Sequence, residues 1–227
     1  MPAIYLHGFA SSAQSTKATF FRTRLAEIGV SLAVPDFNEP EFETLTITRM
    51  AAQVSDLLDS PAVLIGSSLG GFVALHVAVS HPARVPALVL LAPALNFGPD
   101  AAGTGTAGAA APGGTAGRGR RVQLGDRSLE EWRRTDALEV MHYGFGRVMP
   151  VRYALYEDAG RYDAFATRPS MPVQIFQGLR DTAVDPAMVQ RWAADRPNVE
   201  LHLLDDDHQL AGSLEYIWEH ARRFFDA

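Results

Sequence analysis

Apolar positions along the chain fall into two alternating patterns. Short apolar runs at residues 3–7, 32–35, 62–66, 87–92, 173–177 and 199–204 are bounded by Gly, Pro, Asp or Ser, and each is too short for an independent helix. Between them, residues 15–28, 45–58, 69–80, 186–194 and 213–225 carry apolar side chains at helical spacing. Continuous apolar strands separated by helices with one apolar stripe predict an α/β fold: a mostly parallel sheet of about six strands, covered by helices on both faces. In the last helix Leu214, Ile217, Trp218, Ala221 and Phe225 recur at helical spacing, so that face should dock on the sheet.

Two stretches break the alternation. Residues 98–119 are almost entirely Ala, Gly, Thr and Pro; they can bury little and read as a flexible loop. Beyond them Ser128, with Glu131 three residues on, is a capping-box signal for a short helix, and an aromatic stretch follows with Trp132, His142, Tyr143, Phe145, Tyr153, Tyr156 and Tyr162. Residues 96–167 thus read as an insertion between the fourth and fifth strands of one domain, 1–227. That position predicts a cap or lid over the carboxyl edge of the sheet, where open α/β folds bind ligands.

Composition narrows the partners. The chain of 227 residues is 47% hydrophobic and 20% charged, in the range of soluble globular proteins. Its net charge of −6 gives no basic footprint for nucleic acid or anionic lipid, so neither is expected. The absence of cysteine removes disulfides, thiolate metal sites and cysteine nucleophiles. No basic leader opens the sequence and no stretch approaches the roughly 20 apolar residues of a membrane span. These features predict a cytoplasmic protein, a monomer or homodimer, acting on a small molecule.

The third strand ends in Gly66-Ser67-Ser68-Leu69-Gly70-Gly71, and an apolar helix begins at once. This is G-x-S-x-G in the strand-turn-helix context that gives the motif mechanical content: a sharp turn strains the central residue, and small residues on either side relieve the crowding. Ser68 is therefore the candidate nucleophile. A phosphate-binding turn is the alternative, but the Lys-Ser/Thr ending of a P-loop is missing.

A serine nucleophile needs a base, and the base needs an orienting carboxylate. After the fifth strand, Gln177-Gly178-Leu179-Arg180-Asp181 places Asp181 at the carboxyl edge of the sheet; after the sixth, Asp205-Asp206-Asp207-His208 places His208 at the next. Ser68, Asp181 and His208 appear in the chain order of a Ser-Asp-His triad on an α/β sheet. Asp185 is the rival acid, although it directly precedes Pro186 and suits a helix cap. The run 205–207 reads as an acidic turn exposed to water, and no two-His-plus-carboxylate spacing suggests a metal. For the oxyanion, the backbone N–H groups of Leu69 and Phe9 are the candidate donors, with Gly8 allowing close approach. His7 reads chiefly as a ring that orders this loop; His7, Phe9, Leu69, Tyr143 and Phe145 are candidate pocket residues. Ser15 reads as the cap of the next helix, while Ser11, Ser12 and Lys17 stay unassigned.

These residues resemble the α/β-hydrolase superfamily over the whole chain. The opening His7-Gly8-Phe9-Ala10-Ser11-Ser12, with Ser15 and Lys17, is similar to the small YqiA-type esterases. The resemblance implies a serine esterase for carboxylic esters with small acyl or aryl groups, without a cofactor. It also implies strand order 2-1-3-4-5-6, without the two initial antiparallel strands of larger relatives. Thioester, amide and carbon–carbon bond hydrolysis fit the same residues, and so does a non-catalytic small-molecule receptor of this fold.

Overall fold

The computed structural model describes residues 1–99 and 126–225. Most of the loop expected at 98–119 lies outside them. In chain order the elements are β1 (Ala3–Leu6), α1 (Thr16–Glu27), β2 (Leu32–Ala33), α2 (Ile47–Ser55), β3 (Val63–Ser67), α3 (Leu69–Ser80) and β4 (Leu88–Leu91). After these come α4 (Asp126–Thr135), β5 (Leu138–His142), β6 (Arg147–Val151), α5 (Ala154–Ala159), β7 (Val173–Gly178), α6 (Pro186–Ala193), β8 (Val199–Leu204) and α7 (Leu214–Ala221). All six expected strands and five expected helices are present. The main sheet is parallel throughout and ordered β2-β1-β3-β4-β7-β8, which is the order the resemblance implies.

Strand side chains alternate between two apolar layers, which is why these segments are apolar at every position. Ile4, Leu6, Leu64, Leu88 and Leu90 face one layer with α2, α3 and α6; Ala3, Tyr5, Val63, Ile65, Val89 and Leu91 face the other with α1 and α7. Leu214, Ile217, Trp218, Ala221 and Phe225 belong to the second layer, as the stripe predicts. The helix α3 is buried over Leu69–Ala78 and so lacks a polar face.

The insertion differs from expectation in two respects. Its helix α4 takes in Asp126–Thr135, so Ser128 lies inside the helix and does not cap it. The aromatic stretch holds an antiparallel hairpin, β5–β6, with Leu138 opposite Val151 and His142 opposite Arg147. Trp132 of α4 donates its indole N–H to Val151 O at 2.9 Å, joining helix to hairpin. The insertion is tied to the sheet layer as well. Asp158 of α5 accepts from Thr48 N–H at 2.7 Å and Thr48 Oγ1 at 2.8 Å, satisfying an orphan amide at the start of α2.

Between β1, β3 and α3 the backbones approach closely. A Cβ at Gly66 would lie 2.6 Å from Gly70 O, and one at Gly70 would overlap Leu6 O and sit 2.6 Å from His7 O. Only glycine fits. Gly70→Ala is expected to lower stability by about 3 kcal/mol, the upper range for overpacking, because backbone and not a flexible side chain blocks the methyl. Chemical denaturation tests this; an unchanged midpoint would contradict the packing described.

Candidate active site

Ser68 stands between β3 and α3 with φ 54° and ψ −118°, a conformation costly for any residue with a Cβ. Its surroundings fix it from both sides. Ser68 N–H donates to Leu91 O at 2.9 Å, and Ser68 O accepts from the N–H groups of Gly71 (2.9 Å), Ala94 (3.1 Å) and Phe72 (3.2 Å). The strained turn lifts the hydroxyl side chain away from the sheet and into a pocket of about 450 Å³. Phe9, Lys17, Tyr143 and His208 are among its other walls. Leu69 begins α3, so its N–H is one of the helix's first amides and has no acceptor within the helix.

Behind the pocket wall, His208 Nδ1 lies 2.8 Å from Asp181 Oδ2. A carboxylate accepts, so Nδ1 carries the proton and Nε2 remains the basic ring nitrogen. Asp181 is itself held by four donors: Ala183 N–H (2.8 Å) and Val184 N–H (2.9 Å) on Oδ1, Gln177 Nε2 (2.9 Å) and His208 on Oδ2. Burial alone would raise its pKa. The hydrogen bond and charge of His208 and the two backbone amides outweigh burial and keep the carboxyl below its ordinary value. Asp185 caps α6 instead, accepting from Ala187 N–H at 2.9 Å.

The run at 205–207 is not uniformly solvated, which corrects the sequence reading. Asp206 is buried, accepting from Asp207 N–H and Ser213 Oγ, each at 2.8 Å, and so folds the turn that precedes His208. Asp205 does face water, beside Arg180. Lys17 crosses from the start of α1 to donate to Gln209 O at 2.8 Å, next to His208. Burial pushes its pKa down to about 8, with Asp207, Asp181 and Asp206 opposing that shift. Among the described residues no cluster of three or more His, Asp or Glu is placed to hold a metal.

His7 is not a pocket wall. It is 2% exposed, Nδ1 donates to Gly8 O at 2.9 Å, and Nε2 accepts from Phe37 N–H at 3.0 Å. With both nitrogens engaged, the ring is a buried strut. It also aims a donor: in a trans peptide C=O and N–H point in opposite directions, so drawing Gly8 O toward His7 turns Phe9 N–H the other way. Of the other candidate walls, Phe9 and Tyr143 line the pocket, whereas Leu69 is packed in the core and Phe145 stacks on His142 at 4.2 Å. Ser15 accepts from Ala18 N–H at 3.4 Å and caps α1, as its position suggests.

Three residues of the site were missed. Gln177 reads as an ordinary strand position and Asp206 as solvated, and Asn38 falls in no element or motif of the sequence reading. Gln177 offered a signal, since a carboxamide at a central-strand position is buried on either face and needs a partner.

A model of an uncharacterised protein family, UPF0227, matches residues 2–111. Human palmitoyl-protein thioesterase ABHD10, mitochondrial, is 32% identical over 102 residues, which is 41% of this chain and 33% of that protein. The match thus spans about a third of the curated relative. Among solved structures, Est1E from Butyrivibrio proteoclasticus with ferulic acid bound superposes with a TM-score of 0.76 at 19% identity, over 99% of this chain and 87% of the other. Mouse alpha/beta hydrolase domain-containing protein 10 superposes with a TM-score of 0.73 at 20% identity, over 99% and 89%. Among the described residues no helix is long and apolar enough to cross a membrane. The parallel six-strand sheet, its strand order and these likenesses agree on the fold: the chain has the α/β-hydrolase fold.

Proposed function

We propose that the chain is a serine hydrolase that cleaves carboxylic esters with short acyl or aryl groups through Ser68, His208 and Asp181. The observation that carries this reading is the 2.8 Å Asp181–His208 hydrogen bond behind a pocket that both His208 and the strained Ser68 line. In this mechanism His208 Nε2 takes the Ser68 proton as Oγ bonds to the ester carbonyl carbon. The carbonyl oxygen, now negative, is met by the N–H groups of Phe9 and Leu69. His208 then returns the proton to the departing alcohol, leaving an acyl group on Ser68. Water loses a proton to His208, attacks the acyl carbon and frees the acid, and the proton goes back to Ser68. Asp181 stays ionised, holds the tautomer and stabilises the transient imidazolium.

Thioester cleavage is the second reading, supported by the description of the human relative as a palmitoyl-protein thioesterase. Both bonds pass through the same tetrahedral oxyanion, so leaving-group contacts would decide between them. A pocket of about 450 Å³ walled by Phe9 and Tyr143 suits a compact apolar group.

Ser68→Ala is expected to lower kcat for nitrophenyl acetate by roughly a thousandfold or more and to abolish fluorophosphonate labelling. Near-full activity or persistent labelling would remove Ser68 from the mechanism. The same assay over acyl lengths reads the pocket: rates should peak at short chains, and a maximum at long chains would contradict the compact site.

Asp181 also predicts a pH dependence of stability. Its carboxyl is held below the ordinary value of 3.8, so its contribution is complete above that range and is lost as the pH falls through its folded pKa. Asp181→Asn should cost about 2 kcal/mol at neutral pH, typical of hydrogen bonds to a buried charge, with the gap closing in acid. Urea melts of both proteins at neutral and acid pH test this; a constant gap would deny that the charge is responsible.

A further inference from the structure

The loop that carries Phe9 is gripped on its outer side by the insertion. Tyr143 N–H, at the tip of the β5–β6 hairpin, donates to Ala10 O at 2.8 Å. Asn38 Nδ2 donates to Ser11 O at 3.0 Å and to Asp36 Oδ1 at 2.7 Å, and Asn38 Oδ1 lies 2.8 Å from His142 Nε2. His142 Nδ1 accepts from Phe145 N–H at 3.1 Å, so its proton is on Nε2 and is given to Asn38. Both residues are buried, and every polar atom of the two side chains has a partner. Rings repeat the connection: Phe9 packs on Phe42 at 5.4 Å, Phe42 on His142 at 4.6 Å, and His142 on Phe145. The surfaces meet so closely that a Cβ at Gly144 would lie 2.8 Å from Ser12 Cβ and 3.2 Å from Ser11 C.

We propose that the β5–β6 hairpin is a positioning element for the oxyanion donor: Asn38, His142 and Gly144 lock it onto residues 9–12 and so hold Phe9 N–H where the substrate oxygen becomes negative. The inference rests on the serine-hydrolase reading above. His7 fixes the peptide plane of Gly8–Phe9 from the core side, while on the outside Tyr143 N–H of the hairpin holds Ala10 O and Asn38, itself bonded to His142 of the hairpin, holds Ser11 O. Ala10 has φ 51°, a conformation that would relax if either grip were released. The hairpin thus acts on chemistry without touching the reacting atoms. It also makes the Tyr143 wall part of the same rigid unit.

Gly144→Ala is the sharpest test, because one methyl group separates the two surfaces while leaving every proposed catalytic residue intact. The expected result is a kcat lower by roughly tenfold to a hundredfold, the loss typical of a small misplacement of a catalytic group, with KM within about threefold of wild type. Affinity for a methyl trifluoromethyl ketone, which adds to Ser68 and forms the same oxyanion, should fall by the same factor. Ser12→Gly in the Gly144→Ala background removes the nearest opposing atom and should restore part of both losses. Asn38→Asp, similar in size but without the two amide donors, should reproduce the kinetic defect and serves as the second variant should Gly144→Ala fail to accumulate. A wild-type kcat and inhibitor affinity in folded Gly144→Ala and Asn38→Asp, with Ser68→Ala inactive, overturns the positioning role alone. Losses carried by KM with inhibitor affinity unchanged overturn it also. An active Ser68→Ala instead overturns the reading of the site on which the inference rests.

Discussion

The contact on which the site depends is the near-van der Waals meeting of the first turn of α3 with the ends of β1 and β3, possible only because residues 66 and 70 lack side chains. Ser68 gains its position from this contact. A φ of 54° at a serine is unstable by itself, and it persists because Leu91 O and Ala94 N–H, both near the end of β4, grip the backbone on either side of the strained residue. Three neighbouring strands therefore act together on one residue. Moving α3 outward by the width of a methyl group would break that agreement and carry the hydroxyl away from the pocket.

The same arrangement explains which parts of the site were readable in the sequence. Ser68, Asp181 and His208 each stand at the carboxyl end of an apolar strand, so local pattern alone places them on one edge of the sheet. Their register then follows from strand order. Asp185 could be set aside for a local reason too, since a residue before a first-turn proline is a natural cap, and the structure places it there. The hairpin offered no such clue. Its strands alternate weakly, Pro150 interrupts one of them, and each pairs only with the other, so neither is buried on both faces. Asn38 and His142 are 104 residues apart, and nothing in either neighbourhood announces the other.

Burial of polar groups follows a consistent division of labour. His7, His142 and Asp206 are all buried and all engaged by neighbours, which makes them struts. His76 differs: buried in α3 against Phe72 and Tyr162, its Nε2 has no partner, and burial pushes its pKa down to about 4, so it sits in the core as a neutral ring. Of the histidines in or beside the pocket, His208 alone combines a charged partner on one nitrogen with an open cavity at the other side of the ring.

An insertion between the fourth and fifth sheet strands is commonly read as a lid, and position alone would allow that here. The contacts argue for a fixed wall. Asp158 caps α2, Arg152 pairs with Glu43, and the hairpin tip bonds to the loop that carries Phe9, so the insertion meets the sheet layer at three separated points. Lifting it would expose Phe42 and His142 and leave the buried Asn38 amide without its partner, each a cost a hinged lid avoids. Because the Tyr143 wall and the proposed Phe9 donor hang from the same latch, the proposed mechanism would join pocket shape to oxyanion geometry. On that mechanism a substrate too large for the wall would disturb the donor as it entered, and selectivity would be expressed in the chemical step as well as in binding.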